Sequence, residues 1–332
     1  MKKLSVLVLF FMLIQPGFAN TVITLPDLVN PEKIIVDGDR FFVSEGAHVY
    51  IYNLSDFKLL KKFGKAGEGP QEFKVNPLTG GLQMTITPDG IYVSTLNKIS
   101  FFTREGGFKK EIRNPALSTF FHPVGSNHVG LGFAQKDKML FLTINLLNPN
   151  MKKIKEIYRQ EHLFQQGKFN PLGRFPSVVT YNDKFAITGI KGILIFNDKG
   201  EKEITVDYTF DKLKVESHHK KEVDNFYKKD PRFKQLYGIF KDIMVFPEYF
   251  SYYQVFSKTE DKFYVQTYLR KDNKAQFIVF DWKGKPVKKT FAPLTDKNVI
   301  EPYPYSIYKG KLYQLIENLD EEEWELHIFP FK

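Results

Sequence analysis

Short apolar and aromatic runs, each entered through a polar turn, punctuate this chain along its length. VDGDRFFVSEG carries Phe41-Phe42-Val43-Ser44, and TPDGIYVSTLN carries Ile91-Tyr92-Val93-Ser94. The pattern returns as GSNHVGLGF from Gly125, YNDKFAITGI from Tyr181, TEDKFYVQTY from Thr259 and YKGKLYQLIE from Tyr308, six copies in all. One more apolar run precedes each copy, such as Ile34-Ile35-Val36 or Ser177-Val178-Val179, and a third follows, such as Val49-Tyr50-Ile51-Tyr52 or Phe277-Ile278-Val279-Phe280. Glycine-bearing turns (TREGG, NDKGE, DWKGK) then lead to a fourth, as at Lys109-Lys110-Glu111-Ile112. Runs of this length, rich in β-branched and aromatic residues and bounded by Gly, Asp and Asn, predict strands. Four antiparallel strands repeating at roughly 40–55 residues predict an all-β chain folded as a six-bladed β-propeller. A β-sandwich would leave the six matching units unexplained.

Two irregularities refine the picture. The sixth copy runs out of chain after its third strand, while Thr21-Val22-Ile23-Thr24-Leu25 precedes the first copy without a unit of its own. That orphan strand is expected to complete the last blade and close the ring. The interval between the fourth and fifth copies is also too long, and its surplus, residues 211–243, has a helical period. Asp230-Pro231 reads as an N-cap followed by a first-turn proline, with Phe233, Leu236, Tyr237, Phe240 and Met244 on one face. Val223, Phe226 and Tyr227 suggest a second helical face. A helical insertion between blades 4 and 5 is predicted, packing on the ring or overhanging its channel.

The N-terminal segment lies outside the repeat. Lys2 and Lys3, an apolar run over residues 4–14, and Gln15-Pro16-Gly17-Phe18-Ala19 have the layout of a secretory signal peptide cut after Ala19. The run is too short for the ~20 residues a bilayer core requires. Residues 1–19 are thus expected to be a signal and 20–332 a periplasmic or secreted propeller without a membrane span, predicted to be a monomer. The absence of cysteine excludes disulfides, thiolate metal sites and a lipid anchor on cysteine. Formal charge is +10, falling by two to +8 when Lys2 and Lys3 leave. The lysines are scattered and export removes genomic partners, so no nucleic acid is expected.

KKFGKAGEGPQEF, residues 61–73, invites a phosphate-loop reading. Gly64, Gly67 and Gly69 have neither P-loop nor dinucleotide spacing, and Pro70 removes a donor where one is needed. Phe63-Gly64, Gly67, Gly69-Pro70 and Glu72-Phe73, followed by Asp89-Gly90-Ile91-Tyr92-Val93, instead resemble an NHL-type repeat over residues 59–110. The pattern departs from that family at KVNPLTGGLQM. The chain also resembles exported bacterial six-bladed propellers whose late helical insertion ends in a segment like Phe246-Pro247-Glu248-Tyr249. Both resemblances imply the fold more than an activity.

Candidate chemistry is sparse. Seven histidines are present without ligand-like spacing, and there is no HExxH or G-x-S-x-G. No catalytic residue is assigned and no cofactor is predicted. Resemblance to NHL-type lyases implies zinc held by histidines from different blades, for which His122 or His128 are the candidates. Resemblance to gluconolactonase-type propellers implies calcium, for which Glu32, Asn127, Asn182 and Glu248 are the candidates. Residues just before the innermost strand of each blade should converge on one face of a propeller. Those entries carry His122, Arg174, Phe175, Glu248, Tyr249, Tyr303 and Tyr305, aromatic faces with polar tips suited to a protein, peptide or glycan. The leading expectation is a binding module; the alternative is an NHL-like metal-dependent hydrolase or lyase of lactonase type.

Overall fold

The computed structural model describes residues 21–75, 81–95, 98–114 and 120–331; the expected signal peptide and part of KVNPLTGGLQM lie outside them. Six four-stranded antiparallel sheets follow one another around a ring. In chain order their innermost strands are Lys33–Asp37, Gln83–Thr87, Phe121–Val124, Val178–Tyr181, Val255–Lys258 and Tyr305–Tyr308, which define blades 1 to 6.

Each blade is buried on both faces, which is why its middle strands read as near-continuous apolar runs. In blade 1, Phe41 and Val43 pack toward Leu315 and Leu326 of blade 6. Their neighbour Phe42, with Val49 and Ile51, packs toward Ile91 and Val93 of blade 2. Successive side chains on a strand point to opposite faces, so one segment feeds two cores. An apolar cluster of this kind fills each of the six seams. Full burial of each Phe or Val contributes about 1.5–3 kcal/mol. The outermost strands, such as Leu59–Phe63, are largely exposed.

The ring closes as the orphan strand predicts. Thr21–Thr24 pairs antiparallel with blade 6, Thr21 opposite Ile328 and Thr24 opposite Glu325. The Leu25 N–H then donates to the Trp324 carbonyl at 2.7 Å, and the Trp324 indole N–H donates to the Val29 carbonyl at 2.8 Å.

The glycine-rich stretch is the passage from blade 1 to blade 2. Lys65–Ala66 pairs in parallel with Glu72–Phe73, which folds the segment back on itself and drives Phe73 into the seam between the two blades. Gly64 adopts φ +87, where a Cβ would lie 2.5 Å from the Ala47 carbonyl oxygen and 2.7 Å from the Phe73 ring. Gly67, at φ +148, leaves room for the Glu72 carboxylate, which accepts the Gly69 N–H at 2.9 Å and pairs with Lys65 at 2.8 Å. An anion's place in this loop is thus filled by the chain's own glutamate.

The insertion lies between blades 4 and 5 (the fifth and sixth if the sheet holding the N-terminal strand is counted first). It contains α1, Ser217–Lys229, and the four-residue α2, Tyr237–Phe240. Asp230 does not start a long second helix as its pairing with Pro231 predicts. It is the C-cap of α1, its N–H bonded to the Phe226 carbonyl at 2.8 Å, and Pro231 cannot donate the bond that would continue the helix. The Asp230 carboxylate still accepts the Arg232 N–H at 2.9 Å, in a turn. The predicted apolar face does assemble: Phe233, Leu236, Tyr237, Phe240 and Met244 join Val223 and Tyr227 in one cluster. Phe169, Leu172, Phe250, Tyr268 and Ile300 complete it, so the insertion is seated on connections that belong to the ring.

Candidate functional site: the channel and its entry face

The six innermost strands run alongside one another, so all begin at one end of the channel and finish at the other. At the finishing end the chain turns into the second strand through two residues in every blade but the fifth. The entry end receives the long connections, residues 162–177, 206–254 and 294–304. Elaboration on one face alone makes that face the candidate site.

The sequence-selected residues distribute over it unevenly. The Arg174 guanidinium lies 5.2 Å above the Tyr268 ring and donates to the Tyr268 hydroxyl and the Ile300 carbonyl, while its Nε is buried without a partner. Phe175, next along, is 39% exposed. Its ring lies 5.7 Å from His162, which also neighbours Phe133 at 6.2 Å and Phe164 at 6.0 Å. Phe133 is 52% exposed, so an aromatic group centred on His162 faces solvent. Burial lowers the His162 pKa, which keeps it neutral.

Sequence reasoning missed His162 and Phe133. The available signal was the length of the strands Asn127–Lys136 and Met139–Leu147, which outrun those of blades 1, 2 and 4 and lift Phe133 out of the core.

The other candidates lie apart. Glu248 and Tyr249 are exposed on the return of the insertion, where Lys212 sits 5.4 Å above the Tyr249 ring. Tyr303 packs edge-on to Trp324 at 5.8 Å. Tyr305 is enclosed in the seam between blades 5 and 6 against Tyr264 and Phe277, and burial raises its pKa well above the ordinary value. No described contact joins these residues to His122.

A charged network borders the mouth. Arg232 pairs with Asp230 at 2.8 Å and Glu301 at 2.7 Å, and Arg270 pairs with Asp296 at 2.7 Å. Glu32 of blade 1 accepts the Gly46 N–H at 3.2 Å. Burial raises its pKa, while Arg232 and Lys297 are near enough to oppose that rise. The insertion and the 294–304 connection therefore reach toward blade 1.

The metal candidates divide between the two ends. Glu32 and Glu248 belong to connections on the entry side. Asn127, bonded to the Asp198 carbonyl at 3.0 Å, and Asn182, whose carbonyl accepts the Gly125 N–H at 2.8 Å, lie at the finishing end. His128 is there too, its ring 6.2 Å from Tyr92 and its Nδ1 buried without a hydrogen-bond partner. Among the described residues no three His, Cys, Asp or Glu gather as a metal site.

The innermost strands also carry Lys33 at the entry end, His122, and Lys258 at the finishing end. Burial brings the Lys33 ammonium down to about 8. Burial first, then Lys33 and Lys258, brings His122 down to about 3. Burial also lowers Lys258, against the opposing pull of Asp37, although water reaches this side chain.

A pH effect follows. His122 is neutral in the folded protein, whereas the unfolded chain binds a proton below about 6.5. The unfolded state therefore takes up more protons as pH falls from 6.5 toward 3, and stability is lost across that window. With solvent access discounted, the wild type should lose about 1–2 kcal/mol more than His122→Asn between pH 7 and 4.5. Urea unfolding at the two pH values checks this. Equal losses would show that His122 does not resist protonation.

No protein-family model matches the chain, and no curated protein matches it. Solved structures similar to it at low identity include these three. BamB from Moraxella catarrhalis shares 9% identity, over 89% of this chain and 71% of that one, at a TM-score of 0.33. The Pan2 WD40 domain of Neurospora crassa shares 11%, over 94% and 96%, at 0.43. BBS1N, solved in complex with ARL6DN, shares 10%, over 90% and 77%, at 0.38. The propeller assignment rests on this chain's own strand pairing, and the NHL-like signature stands as a resemblance. No helix among the described residues is long and apolar enough to cross a membrane.

Proposed function

We propose that this chain is an exported binding module whose ligand, a protein, peptide or glycan, seats on the entry face of the propeller. The observation that carries the reading is the solvent-facing group of Phe133, His162 and Phe175, on the face that gathers the long connections. Exposed aromatic rings supply the apolar area that recognition sites concentrate. Export is supported by the charged start, the short apolar run and the small residues up to Ala19. The alternative, a metal-dependent hydrolase or lyase, finds no specific observation in its favour: Glu32 is at one end of the channel and Asn127, His128 and Asn182 are at the other.

Selection of displayed peptides and a glycan array against the mature protein test the reading. Selected binders should weaken by about 1–2 kcal/mol with Phe175→Ala and again with Phe133→Ala, while the unfolding midpoints stay near wild type. Binders indifferent to both substitutions would place recognition elsewhere. A stoichiometric ion held in the channel by His, Asp or Glu of the purified protein would favour the enzyme reading instead.

A further inference from the structure

The two ends of the insertion come together and gather positive charge that the aromatic group around His162 does not use. Residues 212–215 run beside residues 248–250. The Val215 N–H donates to the Glu248 carbonyl at 2.9 Å, the Phe250 N–H donates to the Leu213 carbonyl at 2.9 Å, and Lys214 bridges antiparallel to Tyr249. This short ladder delivers the chain directly into α1, whose first turn contains no acidic residue. An open cleft of about 680 Å³ results, lined by residues 214–218, 220 and 221, among them Lys214, Lys220 and Lys221. Its rim is aromatic: Lys220 Nζ lies 5.8 Å from the centre of the Phe246 ring, and Lys212 Nζ 5.4 Å from that of Tyr249.

Lys212, Lys214, Lys220 and Lys221 are all exposed, and none pairs with a carboxylate among the described residues. The nearby carboxylates have other partners. Glu216 faces His218 at 3.4 Å, Asp211 pairs with Lys289 at 2.9 Å, and Glu248 accepts the Tyr249 hydroxyl. Glu222 remains, and it acts on His219 through space. Like charges this close repel, and those in the first turns of a helix also face the positive end of its dipole. Carboxylates brought by a partner would relieve both terms. Tyr249, 38% exposed, and Val245, 49% exposed, add apolar area on the same returning segment. A bilayer presents a flat surface that a recessed cleft does not match, and an acidic polysaccharide has no apolar side chain to offer those two residues.

We infer that this cleft docks an acidic peptide segment of a partner protein, its carboxylates meeting Lys214, Lys220 and Lys221 and an apolar side chain meeting Tyr249. The inference adds a second docking surface to recognition on the entry face. It uses none of Phe133, His162 or Phe175, so either can fail alone.

Fluorescence polarisation of a labelled peptide of repeated Glu-Tyr-Glu, titrated with the purified protein, tests it. Saturable binding is expected, falling steeply as salt is raised. The double variant Lys214→Glu with Lys220→Glu should weaken it at least about tenfold, a loss of about 1.4 kcal/mol. A control of equal net charge, Lys199→Glu with Lys202→Glu, alters exposed lysines of blade 4 and should bind as wild type does. Tyr249→Ala should weaken binding at unchanged salt dependence, because it removes apolar contact and no charge. All of these variants should melt close to wild type, since each side chain is exposed. Absence of saturable binding would overturn the proposal. Equal weakening in both double variants would show attraction by net charge alone and overturn it too. Tighter binding to phosphatidylglycerol vesicles or to heparin than to the peptide would assign the surface to a membrane or a glycan, and the proposal would fall.

Discussion

A chain that begins at Pro26 instead of Asn20 is expected to lose about 4–6 kcal/mol of stability and to unfold over a broader denaturant range. Its missing strand supplies the ladder with residues 325–328, and Leu25, 2% exposed, sits in the seam between blades 6 and 1. Burial of Leu25 contributes about 1.5–3 kcal/mol. Ile23 packs against the same cluster, and each lost ladder bond adds about 0.5–1.5 kcal/mol. Truncation also leaves Glu323–Pro330 as an unpaired edge, a template for association. Urea unfolding followed by tryptophan fluorescence is a direct monitor, because Trp324 is buried by this closure. A midpoint unchanged by the truncation would show that the ring does not need its fastener.

Phe73→Ala should cost about 3–5 kcal/mol, the range for removing a buried phenylalanine ring. The residue is 1% exposed, lies 6.2 Å from the Phe102 ring and covers Gly64. Nothing around it can collapse freely, because both flanking blades are held by their own ladders. Phe63→Ala, at a part-buried position in an outer strand, should cost less than half as much. Chemical denaturation of the two variants side by side checks the contrast. Equal losses would mean that the return of the loop, and not the ring, anchors the passage between blades.

The ring was legible because its signal is repeated. Alternation within strands, glycine-bearing turns and six copies agree with one another, and the orphan strand could be placed by counting alone. The insertion was half legible. Its apolar residues were correctly grouped, but Asp-Pro can either open a helix or close the one before it, and only the helical run ending at Lys229 decides between them.

The channel residues were the least legible. His122 was singled out from its strand entry, whereas Lys33 and Lys258 resemble any other lysine beside an apolar run. Their placement comes from a ring that brings strands far apart in sequence around one axis. His162 and Phe133 were hidden for a similar reason: one lies in a connection and the other on an unusually long hairpin, and only folding sets them side by side.

The pairing of Thr21–Thr24 with the last strand also sets an order of events. The closing segment is made first, and its partner, Glu323–Pro330, is made last. During synthesis five blades can assemble in sequence while this short strand waits unpaired, and the final blade can form only when nearly the whole chain is available. Contacts between such distant segments are slow to form because the intervening chain must first be ordered. Completion of the ring is therefore a late step, and until it occurs the nascent protein carries open edges of the kind that chaperones intercept.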